Sequence, residues 1–306
     1  MLLDLAPQRL VAGAGYSSNL HWQLFTGSSA DCMGFFCDWG LKSGQFSDEA
    51  ASTAHRLLAR TDRNLLFNAL LRVAARKLGR RDDNIPWSER RHFDSRGTYL
   101  FNSSGLDAIA HRARLGVVEM GDYIATFAAA DAAIAAGQRN VFAVVNELDE
   151  LGHKAGGTAP EYAEFARKVL ERARLTVAHY RRAYPAERVR LLSDHGMHDV
   201  HYSVDPARAL HRHIGIPGQD YLLYTDSVYL RAWFGNDAVA SRFVDATAGL
   251  TSLRYLDDAE RATLGISSPS FGDIIGVLAD GVVFSPNMFA LWVRGGPNGM
   301  HGYLSN

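Results

Sequence analysis

The sequence predicts an α/β protein built on a mostly parallel sheet, and three stretches carry that prediction. Residues 123–136 read as an Ala-rich helix ended by Gly137, and residues 140–148 (NVFAVVNEL) follow as a buried-looking strand. A long amphipathic helix comes next, from residue 160 to about 184, and then an apolar run, 189–192, that ends in Ser193-Asp194-His195-Gly196. Helix, strand, helix and strand joined by short connections favour parallel pairing through right-handed crossovers. At 306 residues, 47% hydrophobic and 21% charged, the chain has the size and composition of one large globular domain, with room for an insertion.

Each element has a local justification. Leu20, Leu24 and Phe25 recur at helical spacing and Gly27 is a natural stop, so a first helix is expected there. Ser17-Ser18-Asn19 stand at its start, either as a cap or beside exposed backbone N–H groups that suit an anion. Between residues 38 and 115 the composition changes. Residues 47–79 read as one or two amphipathic helices rich in arginine (Arg76, with Arg80 and Arg81 just beyond), and a polar segment, 82–104, contains Asn84-Ile85-Pro86-Trp87. This region is expected to be a cap or insertion whose basic residues form a solvated face, or else line the approach to a phosphate. Thr158 and Glu161 form a capping-box pattern ahead of the long helix, whose inner face is expected to carry Tyr162, Phe165, Val169, Leu170, Ala173, Val177 and Tyr180. Further on, 221–224 reads as a strand, 237–248 and 257–264 as helices, and the apolar runs 274–278 and 282–284 as a hairpin turning at Asp280-Gly281.

Composition excludes several classes of function. Lys+Arg number 32 against 33 Asp+Glu, a formal charge of -1, so neither a nucleic-acid polymer nor an anionic membrane is an expected partner. Cys32 and Cys37 are too few for a disulfide framework or a zinc knuckle and read as small buried hydrophobes. No stretch approaches the ~18 uninterrupted apolar residues of a membrane span, and the N-terminus lacks a basic, then apolar, leader. A soluble, cytoplasmic chain is expected.

Open parallel sheets hold their ligands at the carboxyl ends of strands. Asp149 follows one predicted strand and Asp194-His195 another, while His153 lies four residues after Asp149 and His301-Gly302-Tyr303 offers a further imidazole. Mixed carboxylate and imidazole ligands suit Zn²⁺ best and Mn²⁺ next, whereas Ca²⁺ and Mg²⁺ prefer oxygen alone. Two such ions about 4 Å apart can activate a nucleophile and hold the oxygens of an in-line phosphoryl displacement. The other nine histidines, His21 among them, are read as surface or core residues.

The series GYSSNLHWQLFTG, DELGHKAG, SDHGM and MHGY resembles the nucleotide pyrophosphatase/phosphodiesterase branch of the alkaline phosphatase superfamily, over about residues 10–303. The resemblance implies an alkaline-phosphatase-like three-layer α/β/α sandwich with a helical cap. In that family a hydroxyl nucleophile lies nine residues before the Thr of a Thr-Gly pair, which falls on Ser17 ahead of Thr26-Gly27. It implies one zinc on Asp149, His153 and His301, and a second on Asp194 and His195 with Ser17. Ser17 would attack phosphorus in a small phosphodiester and pass through a phosphoryl-enzyme intermediate, with Asn19 steadying a non-bridging oxygen.

One departure bears on this expectation. The superfamily supplies another zinc-binding Asp from its first strand, tens of residues before the nucleophile, and here Asp4 is the only carboxylate upstream of Ser17. The chain is therefore expected to be truncated at its N-terminus, and at its C-terminus just past Tyr303, with impaired activity. Three alternatives remain open at this stage. One is a phosphomonoesterase, another a phosphonoacetate-type hydrolase using the same site, and the third a non-catalytic binding remnant of the fold. A sulfatase is disfavoured because neither cysteine has a Cys-x-Pro-x-Arg context.

Overall fold

The computed structural model describes residues 14–34, 36–37, 39–41, 70, 93–95, 114–210, 214–285, 287 and 296–304. Asp4, most of the expected cap at 38–115, including Arg76, Arg80, Arg81 and NIPW, and His55, His92, His111, His211 and His213 lie outside them. The described residues form an α/β fold. Helices α1 (Ser17–Thr26) and α2 (Ala30–Met33) come first, then strands β1 (Trp39–Leu41) and β2 (Phe93–Ser95), which pair antiparallel.

The predicted βα rhythm follows. Strand β3 (Leu115–Glu119) leads into α3 (Tyr123–Ala135), β4 (Asn140–Val144), α4 (Glu147–Ala155) and α5 (Pro160–Ala183). Strands β3 and β4 pair in parallel from Leu115↔Asn140 to Glu119↔Val144, with α3 between them in sequence and packed on both. Asp122 caps α3 through Ala125 N–H, and Gly137 takes the left-handed conformation that ends it, as a glycine can at little cost. Helix α5 lays Val169 and Ala173 against Phe127 of α3. Asp131 of α3 accepts hydrogen bonds from Arg172 (2.7 Å) and His179 (3.2 Å) of α5, tying the two helices together.

The main core is a four-stranded antiparallel sheet in the order β7–β8–β10–β9, made by Tyr221–Thr225, Tyr229–Phe234, Ile274–Leu278 and Leu253–Tyr255. Side chains alternate between its faces with the two-residue period of a strand. Leu222, Tyr224, Tyr229, Trp233, Ile275 and Val277 join one buried cluster, and Tyr221, Leu223, Leu230, Ala232 and Leu278 join another that includes Phe243 of α7 (Asp237–Thr247). Both faces are therefore covered, which explains why β7 reads as a continuous apolar run. Short strands β5 (His198–Asp199) and β6 (Tyr202–Val204) and helix α6 (Pro206–Leu210) precede this sheet, and α8 (Asp258–Leu264) lies between β9 and β10. Helix α8 carries a true capping box, Asp257 with Glu260. Strand β11 (Val282–Phe284) pairs in parallel with β6, and β12 (Gly299–Met300) pairs antiparallel with β5.

Several expectations are corrected. The runs 274–278 and 282–284 do not form a hairpin. A turn at Gly281 is present, but both edges of β10 are taken by β8 and β9, so β11 leaves to pair with β6. Residues 189–192 belong to no described strand. Leu191 and Leu192 are 54% and 45% exposed, without the buried neighbours a core strand needs. Strand β4 ends at Val144, and the rest of the apolar run turns into α4. Thr158 does not cap α5: its N–H and hydroxyl both bind the Asp199 carboxylate, and the N-cap residue is Ala159, which makes no side-chain cap bond. Leu170 faces solvent, and Thr176 is buried on the inner face of α5. Cys37 is buried as expected, whereas Cys32 is exposed.

Candidate metal centre

The centre is assembled around α4. Asp149 lies in its first turn and His153 in its last, so the two side chains are one turn apart on one face, with the carboxylate at the positive end of the helix dipole. Gly152 stands between them, where a Cβ would come within 2.6 Å of the Met197 side chain, and β12 crosses over its carbonyl. A Cβ on Gly299 would come within 2.2 Å of the Gly152 carbonyl oxygen, a close approach that only glycine permits. Asn298 fixes the crossing by donating its N–H to the His153 carbonyl (2.9 Å) and its side-chain amide to that of Lys154 (2.6 Å). His301 follows β12 directly and is 8% exposed.

His153 Nε2 and His301 Nε2 lie 3.4 and 3.3 Å from Asp149 Oδ1. Among the described residues this is the one group of three potential ligands whose atoms all lie within 4.8 Å of one another. A tetrahedral ion with bonds of about 2.0–2.1 Å requires ligand atoms roughly 3.3–3.4 Å apart, which matches both oxygen-to-nitrogen distances. His153 Nδ1 faces the Gly299 carbonyl at 2.9 Å. That bond requires a proton on Nδ1, so in the neutral imidazole Nε2 presents a lone pair to a carboxylate oxygen. Acceptor facing acceptor at 3.4 Å needs a cation or proton between them, and Asp149 Oδ1 is buried with no hydrogen-bond partner among the described residues. The donor set therefore fits a metal ion.

Without a cation the group behaves as a carboxylate–imidazole cluster. Burial works to raise the Asp149 carboxyl, but the imidazoles of His153 and His301 more than reverse it and hold it well below the usual carboxylate range. Burial works to lower His153, yet the Asp149 carboxylate and the Gly299 carbonyl leave it raised.

Strand β5 brings the second pair alongside. Pairing with β12 through Met300↔His198, it places Asp194-His195, just upstream, against His301. The rings of His195 and His301 stack at 3.5 Å between centroids and 7° between planes. His195 Nδ1 meets the Gly196 carbonyl at 3.0 Å, so Nε2 again points a lone pair at a carboxylate, Asp194 Oδ2, at 3.3 Å. Burial and the nearby His301 both lower the His195 pKa, which favours the neutral, ligating form. Asp194 Oδ1 accepts the His195 backbone N–H at 3.1 Å.

The structure thus brings Asp149, His153, His301, Asp194 and His195 together. Ser17 and Asn19 lie in the first turn of α1, and their side chains are outside the described atoms. The start of α1 is nevertheless at the site. Tyr16, just before Ser17, packs its ring edge-on to His301 at 5.8 Å, and its hydroxyl donates to the buried Asp226 carboxylate. His21, one turn after Ser17, places Nε2 2.9 Å from Asp194 Oδ2. His21, Tyr16 and Asp226, which border the centre, were not among the expected site residues. The one signal available for His21 was its spacing of four residues from Ser17.

No protein-family model matches the chain, and no curated protein matches it. Solved structures are similar over part of their length. Murine ectonucleotide pyrophosphatase/phosphodiesterase 5 is 19% identical, covering 60% of this chain and 48% of that one, at a TM-score of 0.46. The human protein of the same name is 14% identical, covering 65% and 59%, at 0.48. Phosphonoacetate hydrolase from Sinorhizobium meliloti, in complex with phosphonoformate, is 16% identical, covering 60% and 47%, at 0.46. The chain spans about half the length of these proteins. No helix among the described residues is long and apolar enough to cross a membrane.

Proposed function

We propose that this chain is a metal-dependent hydrolase of phosphodiester or pyrophosphate bonds, acting on a nucleotide or a similar small phosphodiester. The observation that carries the reading is the convergence of Asp149, His153 and His301 at ligand spacing, with His195 stacked on His301 and the first turn of α1 beside them. Asp149, His153 and His301 would hold one zinc or manganese ion, and Asp194 and His195, with Ser17, a second. Such ions supply positive charge that makes a hydroxyl nucleophilic near neutral pH and offsets the charge of phosphate oxygens.

The chain's own residues then carry the chemistry. The Ser17 hydroxyl attacks phosphorus as the bond from phosphorus to the leaving oxygen breaks, the proton from Ser17 ends on the leaving group, and a serine phosphodiester that keeps the substrate's other ester group remains. Water attacks that phosphorus in a second displacement, which releases a phosphomonoester and leaves a proton on the Ser17 oxygen. Asn19 and the N–H groups opening α1 steady a non-bridging oxygen. Phosphomonoester or phosphonate hydrolysis would use the same residues with a different pocket. The test is hydrolysis of bis-p-nitrophenyl phosphate against p-nitrophenyl phosphate by zinc-loaded protein, with Ser17→Ala as control. Diester cleavage lost in Ser17→Ala is expected. Cleavage of neither ester by fully loaded protein would overturn the reading.

A further inference from the structure

We propose that Tyr16, locked by Asp226, is a positioning residue that sets the start of α1, and with it Ser17, against the segment carrying His301. The inference rests on the reading of Ser17 as nucleophile and adds the residues that place it. Tyr16 stands at the N-cap of α1: its carbonyl accepts the Leu20 N–H at 3.0 Å, and Ser17 is the next residue. The Tyr16 ring is seated on the segment of the proposed ligand. It meets His301 edge-on, and a Cβ on Gly302, whose φ is +94°, would come within 2.9 Å of it, so the bare glycine leaves room for the ring. Tyr229 packs on the ring at 5.9 Å between centroids and 85° between planes. The hydroxyl end is held as well. It donates to Asp226 Oδ1 and accepts the Val228 N–H at 3.0 Å, and the same carboxylate oxygen accepts the Tyr229 N–H at 2.7 Å. Asp226 is wholly buried. Phenylalanine would fill the same space, so what the hydroxyl and a costly buried carboxylate add is one fixed orientation rather than packing. Adjacent Cα atoms are about 3.8 Å apart, so a tilt of Tyr16 reaches Ser17 almost undiminished. A misplacement of about 1 Å at a reacting group can cost about 100-fold in rate.

The competing account is structural: the hydroxyl only satisfies Asp226 in the core and stabilises the fold. The two accounts separate in the split between kcat and KM. The assay is hydrolysis of bis-p-nitrophenyl phosphate by zinc-loaded protein, well below the melting temperature of every variant, with zinc per chain measured by elemental analysis. Tyr16→Phe keeps the ring and removes the hydroxyl. It should lower kcat by roughly 10–100-fold, with KM within about threefold and zinc content unchanged. Asp226→Asn keeps an acceptor for the hydroxyl and should recover most of the rate that Tyr16→Phe loses. Asp131→Ala, which loosens α3 from α5 away from the centre, is the control for destabilisation alone. Tyr16→Phe with an unaltered kcat overturns the proposal in favour of the structural account, as does a fall in kcat that Asp131→Ala matches. A Tyr16→Phe protein that loses zinc together with rate overturns it in favour of a role in holding the metal. A rate in Asp226→Asn as low as in Tyr16→Phe overturns the part given to Asp226. Unsubstituted zinc-loaded protein that cleaves no ester, or Ser17→Ala protein that cleaves as well as the unsubstituted one, overturns instead the reading on which this inference rests.

Discussion

Gly299→Ala tests whether the centre depends on the close crossing of β12 over α4. The added methyl would lie 2.2 Å from the Gly152 carbonyl oxygen and 3.0 Å from Met197 Sδ. The methionine can swing aside, but the carbonyl belongs to the helix backbone that carries Asp149 and His153. Reaching an ordinary contact of 3.4 Å requires the strand and helix to part by about 1.2 Å. His301 is two residues beyond Gly299, so most of that displacement reaches its 3.3 Å approach to Asp149. Metal bonds near 2.0–2.2 Å cannot stretch to follow. We expect zinc affinity, measured by competition with a chromophoric chelator, to fall by ~10-fold or more. Overpacking of about 1–3 kcal/mol should also lower the melting temperature by several degrees. Gly249→Ala is the control, because a Cβ there meets no atom within 4 Å. A Gly299→Ala protein that binds zinc and melts like Gly249→Ala would refute the reasoning.

Other perturbations follow from the same contacts. His153→Ala should abolish binding at the first site, reducing zinc by one ion per chain in elemental analysis, because it removes one of three ligands. In metal-free protein the stability contributed by the depressed Asp149 is present above the usual carboxylate range and lost as pH falls; that of the raised His153 is present below its unfolded value of about 6.5 and lost as pH rises. Thermal unfolding at several pH values should therefore show zinc stabilising the protein more as pH rises above ~6.5 through the raised His153 value, where the competing proton is lost. Burial pushes Asp226 up to about 6. Its folded state thus binds an extra proton between about 4 and 6, costing roughly 3 kcal/mol of stability as pH rises through that window. Asp226→Asn keeps an acceptor for Tyr16, Val228 and Tyr229 and should flatten that slope in urea titrations. Asp131→Ala should cost about 1–3 kcal/mol in the same assay, because Arg172 and His179 lose the partner that joins α3 to α5.

The fold was legible where a signal is local. Helix α3 ends at a glycine, α5 carries a long amphipathic stripe, and both were placed within a residue or two at each end. Errors arose where a distant partner decided the outcome. Asp280-Gly281 turns the chain as a hairpin would, but the edges of β10 were already claimed by strands far away in sequence. Thr158 has the pattern of a cap, but Asp199 across the fold binds it instead. The apolar run at 189–192 has strand composition but no core to face.

The centre divides along the same line. Asp149 and His153 are four apart, and that spacing alone puts them on one face of any helix that forms there; a strand-to-loop reading and a helical one give the same pair. His301, Asp194 and His195 could be linked to them only through motif resemblance, since what unites them is the pairing of β5 with β12 and the glycine crossing at Gly152. His21 has no motif of its own and reads as one histidine among twelve. Its meaning depends on how α1 is seated, and that seating runs through Tyr16, whose hydroxyl binds a carboxylate buried in the β7–β8 turn. The first proposed site is thus held mainly by one helix and the strand crossing it. The second, as proposed with Ser17, would also require α1, the β5 approach and the central sheet to be in place together, so it should be the first of the two to lose an ion when the fold is perturbed.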